Sequence, residues 1–255
     1  MNSQPVDIEP LRESFHRDGF VTLRGFLSGE ELAELLANLG RYIREVVPTL
    51  TDGVFYEDKA RPETLKQMQD LHERDDYFEK LFYGSKFEAL AGGLLGGPVV
   101  GKNLQYFDKP PGVGRATPAH QDGYYFMIEP CEAITMWVAL EQVDEENGCV
   151  RYVRGSHVKG VRDHARTQTL GFSQSIIDYG RVEDLAAEVA VPAQAGDLLA
   201  HHALTIHRAD GNHSATRTRK ALGFVYYAAE AKQDISAHAA YHAKLMAELK
   251  ESGKI

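Results

Sequence analysis

The sequence of 255 residues has few cysteines, no long apolar run and few basic residues, and each shortage excludes a class of protein. The two cysteines, Cys131 and Cys149, match no zinc-binding spacing and suggest a reducing compartment. No apolar run is long enough to cross a membrane, and the polar N-terminus lacks the apolar stretch of a signal peptide. We therefore expect a cytoplasmic protein with no membrane partner.

The shortage of basic residues bears on the partners of the protein. Lysine and arginine number 28 against 37 aspartate and glutamate, which gives a formal net charge of −9. A general nucleic-acid-binding protein would show a basic face, so we expect no nucleic-acid partner. The hydrophobic content of 43% and the charged content of 25% are those of a globular protein.

The apolar periodicity predicts helices at both ends of the chain and strands between them. Residues 8–17 have helical spacing, and Ser28 with Glu31 forms a capping box that predicts a second helix. The charged residues 65–83 are predicted to be helical, and residues 87–91 predict a short helix that the next two glycines stop. This N-terminal region is interpreted as a structural buttress.

Several short apolar segments in the middle of the chain have the length and the turn boundaries of β-strands. They are residues 98–107, 134–140, 149–153, 198–206 and 220–227. Short strands flanked by helices predict a mainly β fold, a β-sandwich or jelly roll. We expect a single domain over residues 1–255, because single β-barrels and sandwiches reach this length. It would consist of a helical N-terminal buttress (about 1–95), a β core (about 98–230) and a C-terminal helix (about 233–252).

The most informative stretch for function is Thr-Pro-Ala-His-Gln-Asp, which ends with His120 and Asp122. Two residues that are two positions apart on an extended segment project to the same face. An imidazole nitrogen and a carboxylate oxygen would then lie side by side, as two ligands of one metal ion require. Iron(II) oxygenases use two histidines and one carboxylate on one face of an octahedron. Since such a pair alone is usually structural, the hypothesis needs a second histidine.

The best candidate for the second histidine is His207, at the point where the apolar strand 198–206 gives way to a polar loop. Such a position is the rim of a barrel. Three rivals are His201, His202 and His213. The first two are adjacent and point to opposite faces, so one of them could face the core. The third lies in the loop, where a solvated role is expected.

Basic residues follow within one hairpin of His207, at Arg217, Arg219 and Lys220. A metal-bound oxo acid has a second, remote carboxylate. An arginine on the strand that pairs with the histidine-bearing strand could bind that carboxylate through both guanidinium nitrogens. A solvated basic edge of a strand is the alternative interpretation, and the residues alone leave both open.

Taken together in order, these motifs resemble the phytanoyl-CoA dioxygenase family. The matching stretches between about residues 98 and 227 are His120-Gln121-Asp122, Trp137-Val138-Ala139-Leu140, Asn147-Gly148-Cys149, Gly155-Ser156-His157, Gly196-Asp197, His207 with Asn212, and Arg219-Lys220-Ala221. The ordered set covers most of the chain and is far more specific than the His-x-Asp pair alone.

The resemblance implies a double-stranded β-helix (a jelly roll, cupin-like), an iron(II) ion, 2-oxoglutarate as cosubstrate and O₂. By motif position it also implies the metal ligands, the residue that holds the distal carboxylate of 2-oxoglutarate, and further cosubstrate contacts. These are, in that order, His120, Asp122 and His207; Arg219; and Gln121, Trp137, Gln105 and Asn103. Tyr124, Tyr106 and Phe107 are candidates for the wall of a substrate pocket.

The implied function is hydroxylation of an unactivated C–H bond of a small organic metabolite, with release of succinate and CO₂. The alternatives are a non-redox cupin-like metal enzyme, which would not need Arg219, and a catalytically silent metal-binding regulatory protein on the same fold. Asp122 retains the carboxylate that related halogenases replace with a small residue.

The chain departs from the family pattern near the cosubstrate. Ala209 stands where a small hydroxyl residue often helps to hold the carboxylate. Arg219 lies one residue further from His207 than is usual, so Arg217 remains a rival for the distal carboxylate. Residues 158–186 are polar and too long for a simple turn, and we expect an irregular loop that covers the metal-side mouth of the barrel.

Overall fold

The computed structural model describes residues 7–169 and 172–251. Within these residues the helices are α1 Ile8–Asp18, α2 Gly29–Glu45, α3 Leu71–Arg74, α4 Asp76–Phe82, α5 Lys86–Leu95, α6 Asp122–Phe126, α7 Val182–Ala187 and α8 Ile235–Glu251. The strands are β1 Phe20–Leu23, β2 Val54–Tyr56, β3 Leu65–Met68, β4 Val99–Phe107, β5 Thr117–His120, β6 Ile128–Glu129, β7 Ala133–Ala139, β8 Val150–Val153, β9 His164–Thr169, β10 Phe172–Ile176, β11 Glu188–Val191, β12 Leu198–His202, β13 His207–Ala209, β14 Ala221–Ala228 and β15 Lys232–Gln233.

Two antiparallel sheets form the centre of the fold. The major sheet has seven strands in the order β1-β12-β7-β14-β4-β3-β2, and the minor sheet has four in the order β11-β8-β13-β5. From β11 to β14 consecutive strands alternate between the two sheets, and this is the winding of a jelly roll. The predicted double-stranded β-helix is confirmed.

The N-terminal helices cover the outer face of the major sheet. Strand β4 shows why, because its side chains alternate between two environments. Leu104 and Tyr106 lie in the apolar core under the helices, whereas Asn103, Gln105 and Phe107 face the space between the sheets. The same core contains a stacked pair of aromatic rings from α5 and β14, with centroids 3.9 Å apart.

Helix α5 runs through the two glycines that were predicted to stop it, and it ends before Gly96, which has a φ of 78°. The reason is packing against α1. A Cβ atom on Gly93 would lie 2.6 Å from the side chain of Ile8, so glycine permits the close approach of the two helices. The capping box of Ser28 and Glu31 is present as predicted.

The prediction of a helix over residues 65–83 was wrong at its start, because Leu65–Met68 is strand β3. All four residues are buried between β2 and β4, so pairing within the sheet overrides the helical pattern of the local sequence. With β1 and β2, this strand makes the predicted N-terminal buttress part of the major sheet. The division of residues 1–255 into one domain stays a prediction.

Residues 158–186 are more regular than predicted. They contain the paired strands β9 and β10 and the start of α7, and residues 170–171 lie outside the described part. Arg162 anchors the segment by contacting the carboxylates of Asp184 and Asp178 at 2.8 and 2.5 Å. Among the helices that the structure describes, none is long and apolar enough to span a membrane.

Candidate metal centre

The end of β5 places the first two candidate ligands together. The strand ends at His120, Gln121 is extended with φ −124° and ψ 127°, and Asp122 is the first residue of α6. The sequence predicted an extended segment throughout, whereas the structure turns into a helix at the aspartate. Because Gln121 is still extended, the side chains on either side of it share one face, and His120 Nε2 lies 3.5 Å from Asp122 Oδ1.

The third candidate ligand is the cross-strand neighbour of the first. His207 begins β13 and pairs in register with His120 on β5, and the centroids of the two rings are 4.2 Å apart. His207 Nε2 lies 3.6 Å from Asp122 Oδ1. One ligand atom from each residue of this triad lies within 4.8 Å of the others. The chain therefore brings two imidazoles and a carboxylate together, as a facial triad for iron requires.

Both histidines of the triad are oriented by backbone carbonyls. His120 Nδ1 lies 2.8 Å from the carbonyl oxygen of Pro118, and His207 Nδ1 lies 3.0 Å from that of Thr205. A nitrogen next to a carbonyl oxygen carries the proton, so the Nε2 atoms are left with free lone pairs. This is the arrangement that orients metal-binding histidines in proteins.

Electrostatics favours the protonation states that a metal requires. Burial, together with His120 and His201, lowers the pKa of His207 well below its ordinary value, which keeps the imidazole neutral. Burial alone would raise the pKa of Asp122, but the neighbouring histidines outweigh it and hold that pKa well below its ordinary value. The triad therefore offers two nitrogen lone pairs and one ionised carboxylate.

The rival histidines have other partners. His202 points away from the triad, with Nε2 3.2 Å from a carboxylate oxygen of Glu132, and His213 is exposed. His201 does reach the site, because its Nε2 lies 3.1 Å from Asp122 Oδ2. The sequence could not separate these roles, since the step from β12 to β13 carries the chain from one sheet to the other.

The triad lies in a cavity of about 460 Å³ between the two sheets. The predicted residues that line it are His120, Asp122, His207, Arg219, Trp137, Gln105, Asn103 and Phe107. Ala209 also lines it, so no hydroxyl is supplied at that position. Of the eight predicted residues, five come from the major sheet or the start of β14, opposite the two histidines of the minor sheet.

Arg219 is a buried cation whose Nε has no acceptor among the described residues. Its guanidinium carbon lies 5.4 Å from the centre of the Trp137 ring. Burial lowers the pKa of Arg219 to about 10, so the side chain remains charged at neutral pH. A buried charge is costly unless it is paired, so a cavity that contains one fits an anionic ligand.

The rival Arg217 does not face the cavity. Its guanidinium lies 2.8 Å from Asp144 and 2.5 Å from Glu146, on the turn that follows β7. The structure therefore places Arg219, and not Arg217, where a carboxylate in the cavity could reach it.

Three predicted residues do not line the cavity. The carboxamide of Gln121 is fully buried, donates to the carbonyl oxygens of Gly160 and Leu204, and accepts from the N–H of Arg162. Alternation turns its side chain away from the two ligands beside it. It holds two loops together instead.

The two tyrosines proposed as substrate contacts also face away from the cavity. Tyr106 faces the helical side of β4, where its hydroxyl donates to Asp108 at 3.3 Å. Tyr124 stacks on His164 of β9, with ring centroids 4.3 Å apart. Phe107, the third candidate, lines the cavity.

Two parts of the cavity wall were missed. The first is β3 and the turn after it, which contribute Lys66, Gln67 and Asp70. Lys66 is paired with Glu57 at 2.8 Å, and Gln67 donates to the carboxamide of Gln105 at 2.9 Å. No local signal marks these residues, because they reach the site through sheet pairing.

The second missed part is the C-terminal helix α8, which contributes His238, Tyr241 and Leu245. Their spacing of three and four residues is that of one helical face and could have been found in the sequence. None of the described residues of 158–186 lines the cavity. Helix α8 therefore forms part of the cavity wall. The paired strands β9 and β10 contact that wall from outside, with Arg166 5.8 Å from the centre of the Tyr241 ring and Ser175 donating to the carbonyl oxygen of Ala119.

A family model described as phytanoyl-CoA dioxygenase (PhyH) matches residues 15–221. The chain belongs to the phytanoyl-CoA dioxygenase family. The phytanoyl-CoA dioxygenase domain-containing protein 1 of Bos taurus is 29% identical over 255 residues, which cover 83% of this chain and 87% of that protein. A phytanoyl-CoA dioxygenase of Arabidopsis thaliana is 28% identical over 237 residues, with 79% and 82% covered.

Solved structures agree with the family. The epimerase SnoN in complex with Fe³⁺, alpha ketoglutarate and nogalamycin RO has a TM-score of 0.71 and 28% identity, over 90% of this chain and 87% of that one. This family member is thus an oxygenase that depends on iron and 2-oxoglutarate. The donor set of the triad and the buried guanidinium of Arg219 in the same cavity fit those two groups.

Proposed function

We propose that the enzyme hydroxylates an unactivated C–H bond of a small organic metabolite and releases succinate and CO₂. His120, Asp122 and His207 would hold iron(II), and Arg219 would bind the distal carboxylate of 2-oxoglutarate. The observation that carries the proposal is the buried guanidinium of Arg219, whose Nε has no acceptor among the described residues, in the same cavity as the triad. A non-redox cupin-like enzyme has no use for such a group, so the alternative functions lack a corresponding observation.

The residues of the chain bind, orient and shield the reacting groups. When bound, iron(II) and 2-oxoglutarate supply the oxidising chemistry. The guanidinium of Arg219 is fixed over Trp137 and can bind a carboxylate through two parallel hydrogen bonds. Asn103 and Gln105 line the same wall and offer further hydrogen-bonding groups. Burial of this wall excludes water from the cosubstrate and strengthens its polar contacts.

The substrate would enter beside α8. The cavity of about 460 Å³ is at the lower end of the range for small-molecule sites, and 2-oxoglutarate would take part of it. Aromatic side chains from three elements line the remainder, namely Tyr125 and Phe126 of α6, Tyr227 of β14 and Tyr241 of α8. A small substrate with an apolar face fits these walls best.

A second outcome of the same chemistry is inversion of a stereocentre. It is favoured by the 28% identity to SnoN, which is described as an epimerase. In that case a hydrogen atom delivered to the opposite face would replace the one removed from carbon, and no oxygen would enter the product. An external reductant would then have to supply two electrons per turnover, with the second oxygen atom of O₂ leaving as water. The mass of the product separates the two outcomes, because hydroxylation adds one oxygen atom.

The test is a titration of the metal-free protein with iron(II) and 2-oxoglutarate under anaerobic conditions. We expect a weak visible charge-transfer band that requires both. Candidate acids, amines and phosphonates would then be screened for substrate-stimulated succinate release, and products would be analysed by mass spectrometry. Absence of the band with iron(II) bound would contradict the cosubstrate site, and a silent regulatory protein would release no succinate with any substrate.

A further inference from the structure

The two oxygens of the Asp122 carboxylate have different surroundings. Oδ1 faces the triad, 3.5 Å from His120 Nε2 and 3.6 Å from His207 Nε2. Oδ2 faces the major sheet, where it accepts a hydrogen bond from Thr135 Oγ1 at 2.5 Å and lies 3.1 Å from His201 Nε2. The carboxylate is therefore held from behind by two side chains, of which the histidine belongs to neither the triad nor the predicted site.

The proton of His201 can be located from its other neighbour. Its Nδ1 lies 3.0 Å from the hydroxyl of Tyr152, and both side chains are buried. The phenol donates to Nδ1, because the opposite tautomer would place the lone pair of Nε2 against the carboxylate of Asp122. Nε2 then carries the proton and donates it to Oδ2. A chain of two hydrogen bonds thus runs from Tyr152 through His201 to Asp122.

We propose that His201 is a positioning residue for the metal centre. It holds Asp122 so that Oδ1 alone is presented to the metal, and Tyr152 fixes the tautomer that does this. The proposal rests on the proposed iron site at the triad. With Oδ2 engaged by two donors, the carboxylate is kept from turning both oxygens toward the metal, so it occupies one coordination position and not two.

His201 is not itself placed as a ligand. Its Nε2 is engaged by Asp122, and its ring packs beside that of His207 with centroids 4.2 Å apart. It reaches the site from β12 in the major sheet, whereas His120 and His207 belong to the minor sheet. Groups of this kind that only orient a metal ligand typically contribute about 10–100-fold to metal affinity.

The experiment measures the affinity of the metal-free protein for cobalt(II) alone, together with the visible spectrum of the cobalt(II) form. Four variants are compared with wild type: His201→Phe, His201→Gln, Tyr152→Phe and His202→Gln. His201→Phe removes the donor and should weaken cobalt(II) binding about 10–100-fold and change the spectrum. His201→Gln keeps an N–H near Oδ2 and should restore both to about the wild-type values. Tyr152→Phe removes the hydroxyl that fixes the tautomer of His201, and should weaken cobalt(II) binding less than His201→Phe does.

The control, His202→Gln, changes the adjacent histidine, which points to Glu132, and should bind cobalt(II) as wild type does. Thermal unfolding of each metal-free variant shows whether it folds. The proposal is overturned if folded His201→Phe keeps the wild-type affinity and spectrum, or if folded His201→Gln binds no better than His201→Phe.

If His201→Phe does not fold, the other two variants decide. Wild-type binding by His201→Gln with weaker binding by Tyr152→Phe supports the proposal, and any other pattern overturns it. Failure of the iron site itself has a separate signature: wild-type protein would then bind no cobalt(II), or His207→Ala would bind it unchanged.

Discussion

The two sheets that enclose the cavity are stabilised in different ways and contribute different groups. The major sheet rests on an apolar core, and five of its buried aromatic and aliphatic side chains face the N-terminal helices: Leu104, Tyr106, Leu222, Phe224 and Tyr226. The minor sheet has four short strands, and its cross-strand neighbours Arg151 and Arg208 are tied by ion pairs to Glu188 and Asp210.

This difference matches the groups that each sheet presents. The minor sheet supplies His120 and His207, which meet as cross-strand neighbours. The major sheet supplies Trp137 and His201, and Arg219 precedes its strand β14; the side chains from both sheets are buried. Burial strengthens a charge-assisted contact, and it can be maintained only where a large apolar core compensates for it. The minor sheet thus contributes the two candidate histidine ligands, and the major sheet contributes the polar groups around them.

The largest effect should come from the minor sheet. His207→Ala removes a candidate ligand, so iron(II) affinity should fall by more than the roughly 100-fold that orienting groups contribute, and turnover should be lost. Metal content after anaerobic loading measures this. His213→Ala, which changes an exposed histidine in the following loop, should keep wild-type iron. The division between the sheets fails if His207→Ala retains its iron and His201→Ala does not.

The next effect tests the major sheet. A buried charge pair with one partner removed costs about 2–5 kcal/mol, so Arg219→Ala should weaken apparent 2-oxoglutarate affinity by one or more orders of magnitude. Arg219→Lys should not be mild, because the planar fork is lost. Arg217→Ala is the matched control and should change the affinity little, since Arg217 binds Asp144 and Glu146. If Arg217→Ala weakened 2-oxoglutarate binding and Arg219→Ala did not, the assignment of Arg219 to the distal carboxylate would be contradicted.

A third variant tests Gln121, which lies between the candidate ligands His120 and Asp122 and does not line the cavity. Gln121→Ala leaves two buried carbonyls and one N–H without their partner, so stability should fall by about 3 kcal/mol. Thermal unfolding measures this loss. The KM for 2-oxoglutarate should stay close to wild type in the protein that remains folded. A large rise in that KM with unchanged stability would restore Gln121 as a cosubstrate contact.

The smallest effect concerns Asp108, which accepts from the backbone N–H of Arg219 at 3.2 Å. Burial raises the pKa of Asp108 to about 6, so the folded state holds its proton more tightly than the unfolded state does. Stability from this group is therefore full at low pH and falls as pH rises from about 4 to about 6. Asp108→Asn should remove a loss of at most about 3 kcal/mol, reduced by the weaker contacts of the amide with Tyr106 and with the N–H of Arg219.

Unfolding measured at several pH values checks this, with the variant and wild type compared at each. The advantage of Asp108→Asn over wild type should grow across that window and then level off. A constant difference at all pH values would show that Asp108 has the same pKa in both states.

The sequence predicted the metal end of the cavity well because it depends on local spacing. One extended residue, Gln121, separates His120 from Asp122, and this is enough to align them. Alternation also held information that the predictions did not use. Tyr106 and Phe107 are adjacent on one strand, so only one of them could face the cavity, and Gln121 had to face away from its two neighbours.

What the sequence could not show depends on pairing between distant segments. Strand β3 joins the cavity wall because it pairs with β2 and β4, and no pattern in its own sequence predicts this position. The boundary between β12 and β13 is similar. Residues 198–207 read as one strand that ends at the histidine, yet the chain changes sheet after His202. This step gives His201 and His207 their separate roles around Asp122.

The short connection between β12 and β13 also limits where the chain can tolerate insertions. Only residues 203–206 separate β12 from β13, and both strands are fixed in register with their neighbours. One inserted residue would shift His207 relative to His120 or turn its side chain to the other face of the minor sheet. The segment 158–186 contributes no described residue to the cavity lining, but Gly160, Arg162 and His164 hold Gln121 in place between the two ligands. A library of insertions should therefore lose the metal centre at 203–206 and at 160–164, and retain it in the connection between β9 and β10.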